Sequence, residues 1–146
     1  MTHPRRKILF IDLDGVLHAA SGPSSSMRSF TWAPMFDEIL TPFPHVGLVI
    51  HASIRDHIEL DTLKEHLGPL GLRVIDIAPQ RMPKYEAILA WLAGHPEVTD
   101  HRVLDDAPSE FPQGLGTLIL CDPRTGISNR KIQKALVEWL EIPVEP

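Results

Sequence analysis

Ile8, Leu9, Phe10 and Ile11 form an unbroken apolar run that stops abruptly at Asp12. A strand with one wet face alternates apolar and polar residues, and a helix needs a longer, periodic pattern. So short a run, apolar at every position, suits a strand buried on both faces in the middle of a parallel sheet. "HVGLVIHAS" (45–53) repeats the pattern, and "LRVIDI" (72–77), "HRVLDD" (101–106) and "GTLILCD" (116–122) add three more strands.

Amphipathic segments separate these runs. Pro34 suits a first helical turn, with Met35, Phe36, Ile39 and Leu40 in a short helix that stops before Pro42. Leu60, Leu63 and Leu67 line one helical face, and Gly68 is a natural C-terminal cap. Pro83 opens a helix with Tyr85, Ile88, Leu89 and Leu92 at i, i+3, i+4 and i+7, closed by Gly94. Ser128 is the expected cap of a last helix whose Ile132, Ala135, Leu136, Trp139 and Leu140 face inward. Residues 19–29, small and turn-forming, read as a mobile loop. Alternating strands and helices predict an α/β fold, a doubly wound parallel sheet with helices on both faces, in one domain over residues 1–146.

Bulk properties narrow the function. With 43% hydrophobic residues among 146 the chain can bury a real core, and its formal charge of -5 argues against a uniformly basic nucleic-acid surface. Arg5, Arg6, Lys7, Arg124, Arg130, Lys131 and Lys134 are available for a local basic edge. A single cysteine, Cys121, excludes an intrachain disulfide and a cysteine-based zinc site. No His pair has the spacing of a helical zinc motif, and no Gly-rich phosphate loop is present. Trp32, Trp91 and Trp139 read as core or interface residues rather than base-stacking platforms. The basic start followed by only four apolar residues is too short for a signal sequence, and no window approaches a membrane span, which predicts a cytoplasmic protein.

The strand ends carry the chemistry. Ligands of open α/β sheets bind outside the carboxyl ends of the strands, where this sequence puts Asp12 and Asp14, then Ser53, then Asp105 and Asp106. Any one of these suits a helix cap or a turn. Doublets of carboxylates on two strands repel unless a cation lies between them, and a hard ion such as Mg²⁺ with oxygen ligands answers that need.

"FIDLDGVLH" resembles the first motif of the haloacid dehalogenase (HAD) superfamily, "VIHASIR" its second, Lys84 its third and "VLDDA" its fourth. At finer grain, "FTWAP", "VLDDAPSEF" and "LCDPRTGIS" resemble the small HAD domains grouped with Swiss Army knife RNA-repair proteins. The resemblance implies a Rossmann-like HAD core and a Mg²⁺-dependent phosphatase in which Asp12 attacks phosphorus and Asp14 serves as acid, then base. Ser53 would bind a phosphoryl oxygen, and Lys84 would balance the nucleophile and the phosphoryl group. Asp12, the carbonyl of Asp14, Asp105 and Asp106 would hold the metal, with Asp105 the expected direct ligand and Asp106 ligating or holding a bound water.

Arg55 either contacts substrate or faces solvent from the first turn of its helix. His51 is no part of the motif and reads as a histidine packed at a strand end. Lys84 in a first helical turn opposes the helix dipole, which is better explained by an anion facing it. The segments between motifs leave no room for a large cap domain. An open site suits a large substrate such as a nucleic-acid terminus, or a small one enclosed by a neighbouring subunit in an oligomer. The alternative to an enzyme is a catalytically silent module that binds phosphate or nucleic-acid ends.

Overall fold

The computed structural model describes residues 6–20, 30–53 and 58–144. Five parallel strands, β1 (Lys7–Ile11), β2 (Val46–Ile50), β3 (Val74–Ile77), β4 (Asp100–Asp105) and β5 (Leu118–Leu120), lie in the order β3-β2-β1-β4-β5. Among the described residues four α-helices connect or follow them: α1 (Ala33–Leu40), α2 (Leu60–His66), α3 (Lys84–Ala93) and α4 (Arg130–Leu140). The chain builds outward from β1 to β3, then crosses to the other side for β4 and β5. The topological switch point therefore lies between β1 and β4.

Alternation along each strand divides the core into two layers. Leu9, Ile11, Leu48, Ile50 and Leu104 pack with Phe36 and Leu40 of α1, Leu63 of α2, and Leu136 and Trp139 of α4. Ile8, Phe10, Val49 and Val103 face the other way, onto Ala87, Ile88 and Trp91 of α3. Helices thus cover both faces, as the unbroken apolar runs require, and all three tryptophans are buried. No inserted cap domain lies among the described residues, and none of their helices is long and apolar enough to cross a membrane.

Several local expectations shift. Residues 72–73 belong not to β3 but to a 3-10 segment, Gly68–Arg73, which leaves Leu72 exposed. Gly68 does follow the end of α2 in the left-handed region, at φ 63°. Asn129, not Ser128, caps α4: its side chain accepts the Lys131 N–H at 2.9 Å. Ala135 faces solvent. On α3 the inward stripe is Lys84, Ala87, Ile88 and Trp91, and Leu89 is exposed. The mobile-loop assignment at 21–29 lies outside the described residues.

Lys7 does not contribute to a basic edge. It is buried, and its Nζ donates to the carbonyls of Trp139 (2.6 Å), Leu140 (3.3 Å) and Ile142 (2.6 Å) at the end of α4. A helix C-terminus leaves its last carbonyls unpaired, and an ammonium satisfies both their lone pairs and the dipole. Burial nevertheless pushes the Lys7 pKa down, against the pull of Asp100. Arg124 is tied at 3.1 Å to Asp122, and Arg5 lies outside the described residues.

Candidate active site

The register brings the chemistry together in one row. Ile11 pairs with Ile50 on one side and with Leu104 on the other, so the next residues, Asp12, His51 and Asp105, emerge side by side from three adjacent strands. The Asp12 N–H still bonds to the Leu104 carbonyl (3.0 Å), and the His51 N–H to the Ile11 carbonyl (3.1 Å). This row sits at the carboxyl end of the sheet, at the switch point.

Asp12, Asp105 and Asp106 each offer a carboxylate oxygen, and these oxygens all lie within 4.8 Å of one another. Asp12 and Asp105 are buried and Asp106 is half-buried. The first turn of α3 delivers Lys84, itself only 8% exposed. Its Nζ stands 3.2 Å from Asp12 Oδ2, 3.2 Å from Asp105 Oδ2 and 3.0 Å from Glu110 Oε2. The unfavourable position at a helix N-terminus is thus offset by three carboxylates, which answers the question its placement raises.

The electrostatics follow from crowding. Burial, and then the neighbouring Asp105 charge, raise the Asp12 carboxyl to about 6, more than Lys84 lowers it. Burial and Asp105 likewise raise Asp106. Burial alone would raise Asp105 too. The His51 hydrogen bond, the Lys84 charge and the Ala107 N–H outweigh it and hold Asp105 below the usual carboxylate range. Burial would lower the Lys84 pKa, but Asp12 and Asp105 keep it raised and the ammonium charged.

Two histidines that sequence reasoning gave no role in the site take part in it. His51, fully buried, places Nε2 2.7 Å from Asp105 Oδ2, while Asp105 Oδ1 accepts the Ala107 N–H at 2.9 Å. Both Asp105 oxygens are therefore fixed in direction. His51 packs at a strand end as expected, and in doing so it orients an acid. Its only sequence signal is position: it follows β2 as Asp12 follows β1. The second is His18, whose Nε2 lies 2.5 Å from Asp14 Oδ1. Asp14, 81% exposed at its side chain, stands apart from the three clustered aspartates and lies against this imidazole. Glu110 was also missed, since nothing in "APSEF" marks a partner for Lys84.

A cavity of about 280 Å³ opens over the row, lined by Asp12, Asp14, His18, Phe30, Ser53 and Lys84 among others. Ser53 thus lines the same cavity as Asp12 and Lys84. Arg55 lies outside the described residues.

Gly15 makes the close packing possible. Its φ of +76° is the left-handed region, and a Cβ there would stand 2.1 Å from Asp106 Oδ2. Gly15→Ala should therefore cost about 2–4 kcal/mol of stability and displace Asp106. Urea unfolding of the variant checks this, and wild-type stability would show that the turn has slack.

A parallel sheet with helices on both faces, and aspartates at the carboxyl ends of its first and fourth strands, is the arrangement the resemblance to HAD domains implies. The chain belongs to the family described as the HAD domain in Swiss Army Knife RNA repair proteins, whose model matches residues 8–132. No curated protein and no solved structure matches the chain.

Proposed function

We propose that the protein is a Mg²⁺-dependent phosphomonoesterase working through an aspartyl-phosphate on Asp12. One observation carries the reading: a buried aspartate at the switch point, 3.2 Å from a buried lysine, with two further carboxylates close by. Three hard oxygen donors within 4.8 Å of one another fit a small divalent cation and suit neither a soft metal nor an apolar ligand. Asp12, Asp105, Asp106 and the Asp14 carbonyl would hold Mg²⁺. When bound, it neutralises the cluster and the charge on the phosphoryl oxygens.

In the proposed reaction, an Asp12 oxygen forms a bond to phosphorus as the bond to the ester oxygen breaks. Asp14 gives that leaving oxygen its proton. Asp14 then takes a proton from water, which attacks the same phosphorus and frees Asp12 and inorganic phosphate. Lys84 and Ser53 hold the non-bridging oxygens throughout, so charge that builds up in transfer meets a fixed partner. Arg55, two positions beyond Ser53, is placed in sequence to meet the rest of the substrate.

The cavity has no cap domain over it among the described residues. Together with a family found in RNA repair proteins, this favours phosphorylated nucleic-acid termini or nucleotides as substrates. The test is phosphate release from an aryl phosphate and from 3′- and 5′-phosphorylated oligonucleotides, with and without Mg²⁺. Millimolar Mg²⁺ should also raise the melting temperature by mass action, and Asp105→Ala and Asp106→Ala should weaken that shift. Mg²⁺ stabilisation without any turnover would favour a binding module. Indifference to Mg²⁺ in both assays would remove the metal site.

A further inference from the structure

His18 is held from two sides by the segment that precedes α1. The Phe30 N–H donates to its Nδ1 at 3.1 Å, and the Phe30 ring packs on the imidazole with centroids 5.4 Å apart. Phe30 itself sits at φ 61°, in the left-handed region that a bulky residue rarely adopts. Backbone bonds close the loop around them: Gly15 N–H to the His18 carbonyl (2.8 Å) and Trp32 N–H to the Leu17 carbonyl (2.8 Å).

This geometry fixes the tautomer. An Nδ1 that accepts a backbone N–H carries no proton of its own, so the proton of the neutral ring is on Nε2. Nε2 faces Asp14 Oδ1 at 2.5 Å and donates to it. One oxygen of Asp14 is thereby engaged, and Oδ2 lies outside that contact. We propose that His18 is the positioning residue for Asp14, locked as the Nε2–H tautomer by the Phe30 N–H so that Asp14 presents a single free oxygen to the leaving group. The inference rests on the hydrolase reading for its catalytic consequence, but its structural half stands without it.

Two measurements test it. In the metal-free protein, ¹⁵N-histidine NMR should show His18 with Nε2 protonated and Nδ1 bare. Asp14→Ala should shift the Nε2 resonance. An Nδ1–H tautomer, or a doubly protonated ring, overturns the proposal whatever the protein hydrolyses.

The second is kcat/KM, which reports the steps up to phosphoenzyme formation, measured across phosphoesters of graded leaving group. A poor leaving group needs the acid and a good one does not. His18→Ala should therefore lose roughly a hundredfold or more with an alkyl phosphate and only a few-fold with dinitrophenyl phosphate. His18→Gln, which keeps a donor, should recover part of the alkyl loss, and melting temperatures establish that both variants fold. An equal loss across the series, no loss, or a gain overturns the positioning role while leaving the hydrolase reading intact. A wild type that turns over none of the esters overturns the hydrolase reading and the catalytic half of this proposal together, and the NMR result then judges the tautomer alone.

Discussion

Asp12→Asn is expected to abolish turnover and phosphoenzyme formation while making the metal-free protein more stable. The amide cannot attack phosphorus, so the loss should reach the detection limit of the assay. The gain in stability comes from the raised Asp12 carboxyl. Unfolded, this group loses its proton near 3.8; folded, it holds it to about 6. Between those values the native state binds the extra proton, so stability falls as pH rises through the window and stays lower above it. The shift corresponds to about 3 kcal/mol at most. The variant should therefore exceed wild type at pH 8, by roughly 5–10 °C in melting temperature. The difference should shrink below pH 6 and vanish near pH 4. Mg²⁺ should narrow it from the other side, by stabilising only the wild type. Near-normal activity of the variant would end the covalent mechanism, and equal stability at pH 8 would mean that Lys84 already compensates Asp12 in full.

Lys84→Met is expected to lower both quantities. Were Lys84 an ordinary surface lysine at a helix N-terminus, its loss would relieve a contact unfavourable by a few tenths of a kcal/mol, up to ~1. Its ammonium is instead buried among Asp12, Asp105 and Glu110. Removing one partner of a buried ion pair typically costs about 3–5 kcal/mol, less here to the extent that Asp12 takes up a proton. The metal-free variant should thus melt well below wild type at pH 8, and Mg²⁺ should restore part of the loss. Turnover should fall by roughly 10²-fold or more, as transition-state charge loses a fixed counter-charge. Full activity with unchanged melting would remove Lys84 from the site.

What the sequence revealed depended on how local each determinant is. Strands buried on both faces betray themselves as apolar runs, so β1 and β2 are legible, whereas β4 is marked only by its buried end, Val103 and Leu104 running into Asp105. β3 begins later than its pattern suggests because Gly68, Pro69 and Gly71 draw the chain into a 3-10 segment first. The face of α3 was misread because a lysine and an alanine point inward while Leu89 points out. A hydropathy count treats Lys84 as a solvent residue, and the same count put Lys7 on the surface. His18, His51 and Glu110 were silent for a related reason: each matters through a partner that only strand register or loop closure brings near.

The Lys7 clasp bears on how such a domain can be combined with others. β1 runs from Lys7 toward Asp12, a rise of roughly 16 Å over its five residues, so the clasped end of α4 lies at the pole remote from the edge that carries the aspartates. One ammonium fastens the entry of the first strand to the exit of the last helix. A neighbour grafted before Lys7 or after Ile142 would leave from that far pole, with its attachment point away from the mouth of the cavity.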